Sequence, residues 1–404
     1  HLGKKNIACA INFMHSYKNP KHEIILKRWL KGLGFKNVIC SHEVGFYPRI
    51  VPRGQTTLIE ASISKPFFDY LESFKKNLGK DVKIGVMGSS GNLIKLDLLK
   101  AKDTILSGPA GGMIAANFIS KQAGLIDKPI VGIDMGGTST DVFCIPPNQG
   151  EYWERDRETI VRDQKIIAKR LPIHTIAAGG GSIIFQKNER LQVGPNSASS
   201  DPGPACYGLN GPLTITDANL ILGRIQPEFF PKLFGPSGKD SLDISITEKK
   251  FKQLGYGIGY TPEEVAEGAL SIAIEKMSEA IKKVSMFRGQ DIRNGSLIAY
   301  GGASGQLACR IAENLSIGEI FIHPLSSFLS AYGIGIASEG EFRTKIINSF
   351  LSSNLLKNIQ KYRLEEFKKA ESTLEKGKNQ KDKEIFQKKK YLSYLEIRFK
   401  SKDN

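Results

Sequence analysis

The first hundred residues alternate between short apolar runs and stretches in which apolar side chains recur every three to four positions. The apolar runs at 7–14 and 37–44 predict buried strands, and the helical spacing at 21–34 and 67–80 predicts helices. Residues 82–92 then predict a strand that runs into a glycine-rich turn. Strands that alternate with helices in this way predict a layered α/β domain.

The middle of the chain contains the most apolar strand patterns and the clearest helix. Apolar residues on both sides of a Gly/Thr/Ser turn at 129–145 predict two buried strands joined by a hairpin. Residues 297–315 predict a short strand, a glycine-rich turn and a helix. Residues 261–288 predict a long helix, because Thr261 and Glu264 have the spacing of a capping box and the apolar residues that follow lie along one face.

The net charge of +16 does not by itself indicate a nucleic-acid-binding protein. Residues 341–404 carry 17 Lys/Arg and 9 Asp/Glu, so half of the excess lies in this last segment, which predicts a Lys-rich helical hairpin around residues 375–384. Elsewhere the basic residues are diluted and are not interleaved with aromatic side chains, as base-stacking surfaces require. We therefore expect a solvated lysine-rich surface and no nucleic-acid partner.

Composition also argues against several other classes of protein. No apolar run approaches the ~18 residues of a membrane-spanning helix, and no signal peptide is visible, so we expect a cytoplasmic protein without a membrane partner. The five cysteines are odd in number and never form a CxxC pair, which predicts reduced thiols rather than a disulfide framework or a zinc site. Because the chain starts at His1 and soon enters an apolar run, we expect that it begins inside a domain.

The turn between the two strands at 129–145 has the composition of a phosphate-binding hairpin. Glycines let backbone N–H groups approach an anion without a Cβ in the way, and threonine hydroxyls add hydrogen bonds. The pattern is not a P-loop, because the lysine of GxxxxGK[ST] is missing and a strand follows where a P-loop has a helix. The alternative is an ordinary tight hairpin. The predicted phosphate contacts are Gly136, Gly137, Thr138 and Thr140.

Two acidic residues, Asp134 and Asp141, stand at the two ends of this turn. Carboxylates repel phosphate, so their place beside a phosphate site is explained if they hold Mg²⁺, usually through water, or orient the attacking group. The sequence therefore predicts that Asp134 and Asp141 are both catalytic and metal-binding residues.

Two further glycine clusters are candidates for the same nucleotide. The turn that contains Gly301, Gly302 and Gly305 lies between a strand and a helix N-terminus, where adenosine or phosphate can bind free N–H groups. Three consecutive glycines from Gly179 onward suggest a close backbone approach, and we include Gly179 and Gly180 among the predicted cofactor contacts. Alone, the Gly301 pattern favours a structural strand-to-helix turn. Together with the hairpin at 134–141 it suggests the two sides of one nucleotide cleft.

We assign structural roles to a cysteine in the Gly/Pro-rich loop at 193–208 and to the aspartate at 217. Asp217 precedes an apolar helix start, so we favour a helix cap over a catalytic role. Cys206 has no histidine beside it in sequence to act as a base, so a structural thiol is favoured over a nucleophile.

The order of these motifs resembles the hydantoinase A/5-oxoprolinase family from about residue 7 to residue 337. Among its members, ATP-dependent 5-oxoprolinases are the most similar, on the evidence of IVPRGQTT at 50–57 and of the 129–142 segment. The motifs that carry the resemblance are SGPAGG at 107–112, DMGGTSTDV at 134–142, TIAAGGGS at 175–182, VGPNSASSDPGPACYG at 193–208, GGASGQLACRIA at 301–312 and LSAYGIGIA at 329–337.

The resemblance implies an α/β fold of the actin-like ATPase (ribonuclease H-like) type, with ATP and Mg²⁺ between two lobes. It implies that 1–128 is the remainder of a first lobe, that 129–340 is a second lobe with the phosphate hairpin and the adenosine-type turn, and that 341–404 is a truncated Lys-rich helical segment. It also implies that the chain lacks the family's N-terminal part and C-terminal region.

The implied activity is the ATP-dependent hydrolysis of a cyclic amide through a phosphorylated amide. The substrate would be 5-oxoproline, which gives L-glutamate in glutathione metabolism, or a hydantoin. A hydantoinase B-type subunit or a fused half is the implied partner, and we expect an oligomer. The alternatives are an ATP-dependent carboxylase or kinase on the same scaffold, or an inactive nucleotide-binding subunit.

Three departures from the family pattern motivate the inactive alternative. No second DxGGTxTD hairpin exists in this chain. Where the family commonly reads SDGG, this chain has a serine, a glycine and Asn92 after Ser89, so a carboxylate is missing. Where oxoprolinases read GGQHAC, this chain has Leu307 in place of the histidine.

Overall fold

A five-stranded mixed sheet forms the centre of this computed structural model. Its strand order is β13-β12-β5-β6-β9, in which β5 and β6 form an antiparallel hairpin and β9 is antiparallel to β6. The strands β12 and β13 are parallel to β5 and follow helical connections. Three antiparallel strands followed by two parallel ones constitute a ribonuclease H-like lobe, which confirms the predicted α/β fold class.

The structure describes residues 7–45, 47–79, 82–148, 155–161, 164–257, 259–287, 289–347, 349–375, 391–393 and 395. The strands are β1 Ala8–Ile11, β2 Asn37–Cys40, β3 Gly85–Met87, β4 Leu93–Lys95, β5 Ile130–Met135, β6 Thr140–Ile145, β7 Asp156–Val161, β8 Gln164–Arg170, β9 Ile173–Ile176, β10 Ser182–Lys187, β11 Arg190–Ser197, β12 Ser296–Tyr300 and β13 Glu319–Phe321. Outside the central sheet, β1 pairs with β2, β3 with β4, β7 with β8 and β10 with β11.

The helices surround these sheets, and α1 and α7 begin and end close to the predicted positions. They are α1 Lys21–Gly32, α2 Ser41–Val44, α3 Ile50–Leu78, α4 Ser107–Gln122, α5 Ile215–Ile221, α6 Ile244–Tyr256, α7 Pro262–Phe287, α8 Ala308–Asn314, α9 Leu329–Ile336 and α10 Ser353–Glu375. The predicted capping box of α7 is present, because the Thr261 amide donates to the Glu264 carboxylate at 2.8 Å and the Glu264 amide donates to the Thr261 hydroxyl at 3.2 Å.

Helices cover both faces of the central sheet, which explains why β5 is apolar at almost every position. Val131, Ile133 and Met135 point to one face and join the core formed with α7, while Ile130 joins the core on the opposite face with α4 and α9. A strand buried on both faces shows a continuous apolar run rather than alternation. Because side chains alternate along a strand, Asp134 also lies on the face that α4 and α9 cover.

The close packing of α4 against α9 depends on glycines in both helices. A Cβ on Gly111 would lie 2.4 Å from the Ser330 carbonyl oxygen, and a Cβ on Gly333 would overlap the Gly111 carbonyl. Any larger side chain at these two positions would separate the helices. The SGPAGG and LSAYGIGIA motifs therefore form one helix crossing, which fixes the position of Ser330 above the sheet.

The N-terminal prediction is correct in its order of elements and wrong in two details. The parallel pair β1 and β2, with α1 between them, appears where the alternation predicted it. The second predicted strand ends at Cys40, because residues 41–44 form the short helix α2, and α3 begins at Ile50, far ahead of the predicted start. The strand predicted to run into a glycine-rich turn at 82–92 is present as β3, and the turn follows at 89–92.

One helix of the range 1–128 packs against the central sheet. Helix α4 contacts β5 and α9, and the division into 1–128, 129–340 and 341–404 stays a prediction. In the C-terminal segment, α10 agrees with the predicted helix. The predicted hairpin turn at 375–384 lies almost entirely outside the described residues, and so does most of the strand pattern that follows it.

Candidate functional site

The β5–β6 turn exposes a row of backbone N–H groups. The Gly136 amide donates to the Ser139 carbonyl oxygen at 3.0 Å, which closes the turn. Among the described residues, the amides of Gly137, Thr138 and Ser139 have no hydrogen-bond acceptor, and Gly137 and Thr138 are exposed. Successive free N–H groups in a turn form a concave site for an anion. The structure thus leaves Gly137 and Thr138 available for the role that the sequence predicted.

Asp134 and Asp141 are directly opposite each other at the base of this turn. They are cross-strand partners in the β5–β6 register, so their side chains lie on the same face of the sheet. Burial, together with the nearby Asp141 carboxylate, raises the pKa of Asp134 to about 6, although a 3.1 Å hydrogen bond from the Ser330 hydroxyl opposes the shift. Burial also raises the pKa of Asp141, while hydrogen bonding from Thr175 opposes it. The fold therefore holds two carboxylates where their negative charges are poorly solvated.

The Gly301 turn lies against the end of β5, the strand that carries Asp134. Tyr300 pairs with Asp134 in the β12–β5 register, and the Ala303 amide donates to the Met135 carbonyl oxygen at 2.9 Å. Gly301 has φ +88°, and a Cβ there would lie 2.4 Å from Oδ1 of Asp134. Gly302 and Gly305 are exposed, and a Cβ on either would have no atom within 4 Å among the described residues. The two glycine turns therefore form adjacent walls of one site.

These contacts predict opposite results for two neighbouring substitutions. Gly301→Ala should lower the free energy of unfolding by about 2–4 kcal/mol, because the new methyl group meets Asp134 and the backbone is in the left-handed region. Gly302→Ala should leave stability within about 0.5 kcal/mol, because its methyl group enters open space. Urea denaturation of both variants in the complete protein measures the difference. Equal stabilities would contradict the close approach of Gly301 to Asp134.

The three consecutive glycines pack against the phosphate hairpin rather than facing an open site. The Gly180 amide donates to the Gly136 carbonyl oxygen at 3.0 Å, and the Gly181 amide donates to that of Gly137 at 2.6 Å. The Gly179 amide donates to the Ser182 hydroxyl, and a Cβ on Gly179 would lie 2.7 Å from the Gly136 oxygen. These amides are already bonded within the protein, and the contact of Gly179 and Gly180 with a cofactor stays a prediction. They support the turn from behind.

Thr140 also differs from its prediction. Its side chain is fully buried, and its hydroxyl donates to the Ala178 carbonyl oxygen at 2.5 Å. A hydroxyl has only one proton, so this contact leaves none for a phosphate oxygen. Thr140 fixes β6 to the segment before the three glycines, and we leave it out of the phosphate contacts.

Asp217 and Cys206 have the structural roles that the sequence favoured. The buried Asp217 carboxylate accepts hydrogen bonds from the amides of Ala205, Cys206 and Thr214 at 2.8–3.1 Å, and Thr214 completes a capping box at the start of α5. Burial and the Asp217 carboxylate raise the pKa of the Cys206 thiol far above its ordinary value, which is the opposite of what a nucleophile needs. Both interpretations are confirmed.

Three residues at the site were missed by sequence reasoning. The Ser330 and Thr175 hydroxyls donate to the two carboxylates, and the buried Tyr300 side chain lies on the same face, with its hydroxyl beside Gly112. Ser330 is 196 positions from Asp134, so no local spacing could reveal their contact. Side chains alternate along β12, so the sequence places Tyr300 on one face of the sheet. It does not show which face that is.

The two positions where family side chains are missing have different surroundings. The Asn92 side chain is buried and donates to the Gly340 carbonyl oxygen at 2.6 Å, so it holds two segments together. Leu307 is completely buried in the main core beside α7. The leucine that replaces the expected histidine is therefore a packing residue in this chain.

The geometry agrees with the family signal that the sequence carries. A sequence profile described as Hydantoinase/oxoprolinase matches residues 53–341. The chain belongs to this family. The match includes the β5–β6 hairpin, the three-glycine segment and the Gly301 turn, so every part of the candidate site lies within the matched residues.

Two curated relatives and one solved structure illustrate the similarity. The 5-oxoprolinase of Saccharomyces cerevisiae is 39% identical over 383 residues, which cover 88% of this chain and 29% of that protein. Caprolactamase subunit alpha of Pseudomonas jessenii is 32% identical over 334 residues, which cover 81% of this chain and 47% of that protein. The crystal structure of ATP-dependent caprolactamase from Pseudomonas jessenii superposes with a TM-score of 0.71 at 27% identity, covering 89% of this chain and 53% of that one.

The chain thus spans between about three tenths and one half of the length of these relatives. The family and its α/β fold are established by the comparisons, and the similar solved structure is described as an ATP-dependent caprolactamase. In the part of the chain that the structure describes, no helix has both the length and the hydropathy needed to cross a bilayer.

Proposed function

We propose that this chain binds ATP with Mg²⁺ and acts in the ATP-dependent ring opening of a cyclic amide, either 5-oxoproline or a hydantoin. The observation that carries the proposal is the contact between the acidic hairpin and the Gly301 turn. Asp134 on β5 links the two, because its cross-strand partner is Asp141 on β6 at one side and Tyr300 on β12 at the other. A phosphate-binding turn beside a nucleoside-type turn is the arrangement that ATP requires.

The residues present are compatible with a divalent cation. Asp134 and Asp141 offer carboxylate oxygens on one face, and hard cations such as Mg²⁺ prefer oxygen ligands. Burial disfavours the ionised form of both carboxylates, and a cation between them would offset that cost. When bound, Mg²⁺ supplies positive charge beside the transferred phosphoryl group.

Other parts of the site would bind different parts of ATP. The free amides of Gly137, Thr138 and Ser139 would donate to phosphate oxygens. The open space beside Gly302 and Gly305 would admit the nucleoside end. Gly180 and Gly181 hold the hairpin rigid through its carbonyl groups, so the amides need little rearrangement when phosphate binds.

The chemistry that this geometry supports is activation of a poor electrophile. A lactam carbonyl resists attack by water, and transfer of the γ-phosphoryl group to the amide oxygen converts that oxygen into a leaving group. The contribution of the protein is positioning and charge neutralisation. Asp134 and Asp141 would bind the metal, and one of them would orient the attacking group.

We also propose a partner and a location. The name of caprolactamase subunit alpha indicates that the relative works with another subunit. For this chain we propose a hydantoinase B-type subunit or a fused half, an oligomeric assembly and a cytoplasmic location. A role in glutathione metabolism would follow if 5-oxoproline is the substrate.

The test is an ATPase and product assay on the complete protein, with 5-oxoproline, hydantoin and bicarbonate plus a ketone supplied separately. We expect ADP to form together with glutamate or an N-carbamoyl amino acid, in equal amounts. Carboxylated ketone or a stable phosphorylated product would replace the proposal with a carboxylase or kinase. Nucleotide binding without turnover on any of these substrates would identify an inactive subunit.

A further inference from the structure

A second polar cluster lies at the carboxyl ends of the parallel strands β1 and β2, and the ATP site does not use it. In open α/β sheets, ligands bind beyond the carboxyl ends of the strands. Here the loop after β1 and the start of α2 after β2 meet the first turn of α1, which contributes Glu23. The side chains that converge at this place are Glu23, Cys40 and His42.

The three side chains have the donor atoms and spacing of a metal site. A carboxylate oxygen of Glu23, Sγ of Cys40 and a ring nitrogen of His42 all lie within 4.8 Å of one another. In a tetrahedral zinc site, with bonds of about 2.0–2.3 Å, ligand atoms are about 3.3–3.7 Å apart. Small side-chain movements would therefore bring the three atoms to bonding distance of one ion.

The Glu23 carboxylate is oriented by groups around it, as metal ligands usually are. Its Oε1 accepts from the Phe13 amide at 2.9 Å and from the Ser41 hydroxyl at 2.6 Å. Its Oε2 lies 2.7 Å from Nδ1 of His42. An ion that binds both Oε2 and Nδ1 would take the place of the proton they now share. Supporting hydrogen bonds of this kind fix the geometry of the ligands and tune the affinity for the ion.

The nearby Arg53 guanidinium directs its hydrogen bonds to groups other than the Glu23 carboxylate. Arg53 is completely buried, and its N–H groups donate to Asn12, to Ser41 and to backbone carbonyls of the surrounding loops. Among the described ion pairs of Glu23, the partner is His42, which is charged only when it is protonated. When the imidazole is neutral, the charge of the buried Glu23 carboxylate lacks a charged partner among its described ion pairs, and a bound cation would compensate that charge.

We propose that Glu23, Cys40 and His42 form a binding site for a divalent transition-metal ion of the zinc class, separate from the ATP site. Binding replaces the S–H bond of Cys40 with a sulfur–metal bond, and the thiol proton passes to solvent. The proton between Oε2 of Glu23 and Nδ1 of His42 moves to Nε2 of the imidazole, or to solvent if the imidazole is already protonated there. The sulfur and imidazole ligands favour zinc-class ions over Mg²⁺ or Ca²⁺. Three protein ligands leave a fourth position for water or another molecule, and the 14% exposure of the His42 side chain gives the ion a route in.

Cobalt binding to the complete, chelator-treated protein tests this site. Co²⁺ bound to a thiolate has a sulfur-to-metal charge-transfer band in the near ultraviolet, which a site made of oxygen and nitrogen ligands lacks. We expect the band in the wild-type protein and its loss in Cys40→Ser, together with one fewer bound equivalent of Co²⁺. Cys9→Ser is the matched control, because Cys9 lies on the neighbouring strand outside the cluster, and it should retain the band.

A second variant keeps the test decisive if Cys40→Ser folds poorly. His42→Asn alters the most exposed ligand and should weaken Co²⁺ binding at this site at least about 10-fold while the circular dichroism spectrum stays unchanged. A wild-type protein without the band, or variants that bind Co²⁺ as the wild type does, would show that the cluster is an internal hydrogen-bond network only.

Discussion

Asp134→Asn is expected to lower ATP turnover by the complete protein at least about 100-fold. Asparagine keeps the shape of the side chain and an oxygen that can accept the hydrogen bond from Ser330, but it removes the charge that would hold Mg²⁺. Because burial disfavours the Asp134 carboxylate, the same substitution should leave the free energy of unfolding unchanged or raise it at neutral pH. Steady-state ATPase rates and urea denaturation measure the two effects.

The combination of lost turnover and retained stability separates a metal ligand from a structural residue. Asp127→Asn is the control, since Asp127 is an exposed acid in the loop before β5. Its turnover should match that of the wild type. If Asp134→Asn keeps normal turnover in excess Mg²⁺, the assignment of Asp134 to the metal is wrong.

Asp217→Ala is expected to lower the free energy of unfolding by roughly 3–5 kcal/mol. The buried carboxylate accepts from three backbone amides and from the hydroxyls of Thr214 and Thr247. Alanine would remove the acceptor of the three buried amides and of the Thr214 hydroxyl, while the Thr247 hydroxyl would keep the Asp243 carbonyl oxygen. Urea denaturation of the complete protein measures the loss.

Glu248→Ala provides the comparison for this second prediction. Glu248 is an exposed acid on α6, one position after Thr247, so its removal should change stability by less than about 0.5 kcal/mol. A loss below about 1 kcal/mol for Asp217→Ala would show that the loop and α5 do not depend on this cap. Any loss of ATP turnover in Asp217→Ala should follow the loss of folded protein.

Local patterns were sufficient for the elements that carry the proposed ATP site. The apolar runs around the Gly/Thr/Ser turn predicted β5 and β6, and the strand–turn–helix pattern predicted β12 and α8. Both predictions succeeded because strand burial and turn chemistry are set by residues close together in sequence. The same local logic predicted the cap of α7 and the structural role of Asp217.

Local patterns failed where the use of a polar group depends on distant residues. The glycines at 179–181 have the composition of an anion site, yet their amides bind the hairpin carbonyls and Ser182. Thr140 has a hydroxyl suited to phosphate, yet it donates to Ala178. The proposed metal cluster also depends on the fold, which brings Glu23 to Cys40 and His42. The contacts of Thr140 with Ala178, of Gly180 and Gly181 with the hairpin, and of Glu23 with Cys40 all join residues that are distant in sequence.

The sequence by itself determined which segments are strands and helices, which turns are rich in glycine, and that two aspartates bracket one of them. Those properties follow from backbone preferences and from the period of apolar side chains, which act over a few residues. Only the tertiary structure decided which backbone amides remain free for a ligand and which carboxylates are buried side by side. Hydrogen-bond capacity and desolvation depend on every neighbour in space, and here those neighbours come from strands and helices up to about two hundred residues away.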